Sequence, residues 1–113
     1  EIDQTNKNLI KKFNLKLEKL NLIINSKKIQ PIFITQVMFN GLEDKRLFLI
    51  NNELKKFALE NNYFLIPLDE MIVFNKDDFF DQIHTTPKGS KKIADIIYPQ
   101  LYNYLKSKNA FNQ

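Results

Sequence analysis

Cysteine is absent from this chain, which excludes disulfides and thiolate metal sites and leaves the compartment open. No run of about 18 apolar residues occurs, so no transmembrane helix is expected. Arginine occurs once, at Arg46, and the net charge of +4 is carried by lysine. The pairs Lys11-Lys12, Lys27-Lys28, Lys55-Lys56 and Lys91-Lys92 are scattered, with no arginine and aromatic interleaving. Basic residues bind nucleic acid when clustered on one face, so this spread argues against a nucleic-acid partner. The abundance of lysine, asparagine, isoleucine and phenylalanine has a simpler source in codons rich in A and T. The chain opens on Glu1 rather than methionine, so a processed or truncated N-terminus is expected, from which a targeting segment could have been lost.

At 113 residues the chain has the size of one domain with a single core. Leu9, Ile10, Phe13, Leu17, Leu20, Ile23 and Ile24 recur in steps of three and four, which predicts a helix over residues 5–26 with Thr5 as N-cap. Pro31-Ile32-Phe33-Ile34-Thr35-Gln36-Val37 is short, β-branched and almost continuously apolar, the pattern of a strand buried on both faces. A second helix is predicted over 44–60, with Leu47, Ile50, Leu54, Phe57 and Ala58 inside. Tyr63-Phe64-Leu65-Ile66-Pro67-Leu68 reads as a second buried strand, and residues 71–80 as an irregular acidic connection. The last helix runs from about 87 to 105, with Ile93, Ile97, Leu101 and Tyr104 on one face and Pro99 bending it. Residues 106–113 are expected to form a frayed tail. Helix, strand, helix, strand implies a parallel βαβ crossover. Two strands do not make a stable doubly wound sheet. The expectation is therefore an α/β domain whose C-terminal portion is residues 1–113, with two or three strands supplied from outside it.

Histidine also occurs once, in Asp81-Gln82-Ile83-His84-Thr85-Thr86-Pro87-Lys88-Gly89. A carboxylate three residues before an imidazole can share a hydrogen bond with it. The acid then fixes the ring's tautomer and supports the imidazolium formed when the ring takes a proton. The motif falls between the last strand and the last helix, where active groups of open parallel sheets collect. Thr86-Pro87 gives a helix start, and Gly89 is expected to keep a side chain away from the imidazole. The structural alternative is a surface histidine capping the helix, with Asp81 salt-bridged to lysine. A further alternative gathers Asp77, Asp78, Asp81 and His84 around a divalent cation, since carboxylates and neutral imidazole suit zinc or manganese. Gln36, at the end of the first strand, is a candidate substrate-binding residue or a buried amide tying down a loop. Asp69-Glu70 follows the second strand as pocket lining or a cap. Phe79 and Phe80 read as core or cover. Ser26, Ser90 and Ser107 sit in no nucleophile-like turn.

The residues Asp81 to Gly89, followed by Ser90-Lys91-Lys92-Ile93-Ala94, resemble the C-terminal motif of the SGNH (GDSL-like) hydrolases, in which D-x-x-H supplies the triad acid and base. Pro31-Ile32-Phe33-Ile34-Thr35-Gln36 is similar to that family's penultimate strand. The resemblance covers roughly residues 5–105 as pattern, and only 81–89 specifically. It implies a three-layer α/β/α sandwich with a parallel sheet, flavodoxin-like in type, represented by its C-terminal half. It implies a serine ester hydrolase acting on carbohydrate O-acyl groups or lipid esters, with His84 as general base, Asp81 as its orienting partner, no cofactor and no metal. The family's G-D-S serine and G-x-N-D asparagine are not present; Asn40-Gly41-Leu42 and Asn75-Lys76-Asp77 do not fit them. The implied partner is therefore a missing N-terminal half that brings nucleophile and oxyanion donors. Without it the chain would be inactive. The alternative function is a non-catalytic SGNH-like binding module.

Overall fold

A computed structural model describes residues 2–40, 44–109 and 111. Its order is α1 (Gln4–Lys27), β1 (Ile32–Ile34), α2 (Lys45–Glu60), β2 (Phe64–Ile66), α3 (Leu68–Met71), a 3₁₀ turn (Lys76–Asp78) and α4 (Pro87–Ser107). The strands pair in parallel, Ile32 opposite Phe64 and Ile34 opposite Ile66, with α2 as the crossover.

The expected α/β/α sandwich is not what the chain forms. Helix takes up 64% of the structure, and the only sheet among the described residues has two strands. The strands are three residues long where seven and six were expected, for local reasons. Pro31 and Pro67 flank them and cannot donate to a ladder. Beyond β1 the backbone leaves the sheet to meet side chains. The Gln36 N–H donates to Asn51 Oδ1 at 3.0 Å, and Asn51 Nδ2 donates back to the Gln36 carbonyl at 2.9 Å. Beyond β2 the chain turns at once into α3, where the buried Thr35 hydroxyl donates to Asp69 Oδ1 at 2.6 Å and accepts from the Asp69 N–H at 3.0 Å.

Neither strand is buried on both faces. Ile32 and Phe33 are half-buried and Ile34 is exposed; in β2 only Ile66 is fully buried. A two-stranded sheet leaves each strand an open edge. That of β1 faces a hollow of about 560 Å³ walled by Phe13, Leu17, Ile50, Leu54 and Ile93.

The helices follow their predicted bounds with two differences. α1 is capped by Asp3, which accepts from the Asn6 N–H at 2.8 Å, rather than by Thr5. It closes on Lys28, in the left-handed region at φ 52°. Its inner stripe runs through Asn6, Phe13, Asn14, Leu17, Asn21 and Ile24, while Leu20 and Ile23, expected inside, are exposed. Amides hold those inner positions because they have partners: Asn14 donates to Glu53 at 3.0 Å and Asn21 to Asn61 at 3.2 Å, and the Tyr63 hydroxyl bonds Asn21. α4 keeps its predicted inner face, half-buried throughout, with Tyr104 stacked on Phe64 at 4.0 Å between ring centroids. It carries Pro99 within it and continues to Ser107, so the start of the expected tail is helical. Glu1, Gly41, Leu42, Glu43, Ala110, Asn112 and Gln113 lie outside the described residues.

Candidate functional site

The loop between the 3₁₀ turn and α4 is built by short-range bonds. Phe79 and Thr85 form an isolated antiparallel bridge, and the Phe80 N–H donates to the His84 carbonyl at 2.8 Å. The intervening residues are thereby thrown outward as a closed turn. Asp81 organises its tip. One carboxylate oxygen accepts the backbone N–H of Ile83 at 2.8 Å and of His84 at 2.7 Å; the other lies 2.6 Å from His84 Nδ1. The i, i+3 spacing thus brings acid and base together as the sequence predicts. The His84 ring hydrogen bond is the largest cause, and the two backbone N–H groups the next, of an Asp81 carboxyl held down to about 2.

With Nδ1 engaged, the neutral ring has its proton there and presents Nε2 as an acceptor. Nε2 makes no hydrogen bond among the described residues. The pair stands in the open: the His84 side chain is 69% exposed and that of Asp81 54%.

The loop is anchored from below by Asp78, which sequence reasoning placed only in a cation cluster. Asp78 is fully buried; its Oδ2 accepts from Lys92 Nζ on α4 and from the Asn75 N–H, each at 2.6 Å. These bonds hold its carboxyl below the usual carboxylate range. Its carbonyl accepts the Thr86 N–H at 2.9 Å, and α4 begins directly against it. Thr86 caps that helix, accepting from the Gly89 N–H at 3.2 Å. Gly89 is confined by this contact rather than by the imidazole, because a Cβ on it would overlap the Asp78 carbonyl oxygen and come within 2.9 Å of the carbonyl carbon. No local signal in the sequence links residues 78, 89 and 92, since the contact exists only once α4 has docked.

The divalent-cation arrangement is not formed. Asp77 pairs with Lys88 at 2.6 Å, Asp78 with Lys92 and Asp81 with His84, so each carboxylate is turned toward its own partner. No group of three or more potential ligands comes together among the described residues. Gln36 is held by its backbone, through Asn51, and its side chain is exposed, so the buried amide that ties this loop down belongs to Asn51. Asp69 and Glu70 are engaged by Lys55 at 2.8 and 2.7 Å. Phe79 is buried and Phe80 exposed. The serine hydroxyls are also engaged: Ser26 and Ser107 donate to carbonyls of their own helices, and Ser90 shares a 2.7 Å bond with Thr85. The described residues thus hold an acid and a base, with no serine free to attack.

Beside this loop lies a groove of about 230 Å³, lined by apolar residues such as Phe39, Ile72 and Phe74 together with Gln36, Asn40, Asn51 and Asp69. A wider hollow, about 490 Å³, sits at the opposite, amino ends of the strands around Tyr63 and Tyr104, away from the dyad. No helix among the described residues is long and apolar enough to cross a membrane.

The site defines a class, an exposed carboxylate–imidazole dyad on a loop before a helix. Comparison with protein families, with characterised proteins and with solved structures finds no match for this chain.

Proposed function

We propose that this chain carries the acid and base of a serine ester hydrolase of the SGNH kind, with His84 as general base and Asp81 as the residue that orients it. The 2.6 Å bond between His84 Nδ1 and an Asp81 carboxylate already pinned by two backbone N–H groups is the observation that carries this reading. It fixes the tautomer a base needs. The nucleophile and the oxyanion donors come from outside the described residues.

In the reaction, His84 Nε2 takes the proton of a serine hydroxyl while the serine oxygen bonds to the ester carbonyl carbon. The imidazolium returns that proton to the departing alcohol as the ester C–O bond breaks, leaving an acyl-enzyme. Water then adds to the acyl carbon and gives its proton to the same nitrogen. The proton passes to the serine oxygen as the acid leaves. Asp81 stays ionised throughout and balances the imidazolium charge.

The test is fluorophosphonate labelling of the gene product made from its own start codon, with the adduct mapped by mass. One labelled serine, lost in His84→Ala with the fold retained, is the expected result. Full labelling and ester turnover in that variant would end the triad reading.

A second reading is favoured by the engagement of every serine hydroxyl and the exposure of the dyad. It is a non-catalytic binding module in which Asp81 closes a turn and His84 completes it. A folded gene product that takes no label would select it.

A further inference from the structure

The net charge of this protein is the charge of one helix. α1 holds six lysines and one acid, Glu18, a charge of +5, and all other residues together sum to −1. Among the described residues none of those six lysines makes a hydrogen bond or an ion pair. The lysines that meet carboxylates lie on α2 and α4: Lys55 with Asp69, Lys88 with Asp77, Lys91 with Asp95 and Lys92 with Asp78. α1 thus presents unneutralised positive charge along its length.

Hydrocarbon sits among these cations. Leu17 and Ile24 are buried, and Leu15 and Leu22 each stand two residues before one of them. That interval is about 200° around a helix, so both leucines face away from the core. Leu22 is 71% exposed, its neighbour Ile23 55% and Leu15 47%. Lysines border them at helical spacing. Lys11 and Lys12 lie one turn before Leu15, and Lys19 lies one turn after it and one turn before Leu22.

Cations alone would suit any polyanion; the leucines between them narrow the partner. A second copy of the chain is disfavoured, because a two-fold pair joins like surface to like and would set lysine against lysine. A nucleic acid is gripped by arginine and by aromatic side chains that stack on bases, and this face has neither. The one arginine, Arg46, lies on α2, and the one aromatic of α1, Phe13, is half-buried on its inner side. An anionic bilayer surface satisfies both chemistries, its headgroups taking the ammonium groups and its acyl boundary taking the leucines.

We propose that the outer face of α1 docks the protein on an anionic membrane surface. The helix lies flat, with Leu15, Leu22 and Ile23 entering the boundary between headgroups and acyl chains. The lysine stems run beside them and hold their charged ends among the lipid phosphates and carboxylates. Each lysine near such a surface contributes about fivefold in affinity. The inference is independent of the dyad reading.

The test is co-sedimentation of the 113-residue chain with vesicles of phosphatidylcholine, with and without about one-third phosphatidylserine. Binding to the anionic vesicles alone is expected, strong at about 0.05 M salt and lost at about 0.5 M. Lys12→Gln/Lys19→Gln should weaken it about 25-fold. Leu15→Gln/Leu22→Gln, two surface changes whose retained helix is checked by circular dichroism, should weaken it at least tenfold. Lys106→Gln, exposed on α4, should stay within twofold of the parent. The chain has no tryptophan, so Leu22→Trp supplies a single reporter whose emission should shift to the blue on the vesicles. No binding at low salt, equal binding to both vesicles, or parental affinity in the lysine pair would each overturn the proposal. Salt-sensitive binding with an unshifted emission and an unweakened leucine pair would also overturn it and assign the face to a soluble polyanion.

Discussion

Gly89→Ala adds one methyl group, and the structure sets its consequence. The new Cβ would overlap the Asp78 carbonyl oxygen, which is backbone and already accepts the Thr86 N–H at 2.9 Å. Neither atom can rotate away, so the first turn of α4 and the 3₁₀ turn must separate. Forcing a methyl into such a contact costs about 1–3 kcal/mol. Losing the Thr86 bond adds roughly 1 kcal/mol, while replacing glycine in a helix returns about the same. The net expectation is a destabilisation of about 1–3 kcal/mol, read as a shift of the urea midpoint with the slope unchanged. In a thermal scan it corresponds to a Tm about 4–12 °C lower for a domain of this size. Ser90→Ala, one residue on and exposed, serves as control and should move the midpoint far less. A Gly89→Ala variant as stable as the parent, or more so through helix propensity, would refute the close docking of α4 on Asp78.

Thr35→Val should cost about 1–3 kcal/mol, because the half-buried Asp69 N–H loses the acceptor that the buried Thr35 hydroxyl supplies, and Thr35→Ser should recover most of it; a neutral valine in urea unfolding would contradict the Thr35–Asp69 clasp. The Asp81 carboxyl, ordinarily near 3.8, is depressed to about 2, so its contribution to the loop is complete above the ordinary value and is lost as pH falls through the depressed one. Carboxyl carbon shifts followed from pH 6 to pH 1.5 should therefore place its titration near 2, in company with shifts of the Ile83 and His84 amides; a midpoint near 4 would contradict the bonding drawn here. Addition of zinc or a chelator should leave the midpoint of unfolding unchanged, since Asp77, Asp78 and Asp81 are each committed to a separate side chain, Lys88, Lys92 and His84.

What could be read from the sequence was local. The Asp81–His84 bond is an i, i+3 contact, and the Thr86-Pro87 helix start needs only neighbouring residues; both are in place. The inner faces of α2 and α4 follow the three-and-four spacing of their apolar residues. The face of α1 was harder to read, because apolar Leu20 and Ile23 outscore Asn14 and Asn21 on any hydropathy count. What admits those amides is pairing with Glu53 and Asn61, 39 and 40 residues away. The strands were read too long for a similar reason. Thr35 and Gln36 continue an extended apolar pattern, yet Asp69 and Asn51 capture them on folding. With the strands cut to three residues the expected sandwich goes too. The anchoring of the dyad loop by Asp78, Lys92 and Gly89 was likewise out of reach, because those residues share no local pattern.

The central claim is that Asp81 sets the tautomer of His84 and leaves Nε2 ready to accept a proton. It is tested most directly by long-range ¹H–¹⁵N NMR of the His84 ring, at a pH where the imidazole is neutral, in the parent chain and in Asp81→Asn. The account predicts the proton on Nδ1 in the parent and a swing toward the Nε2–H form, favoured by free imidazole side chains, in the variant. A parent ring already protonated on Nε2, unchanged by Asp81→Asn, would contradict it.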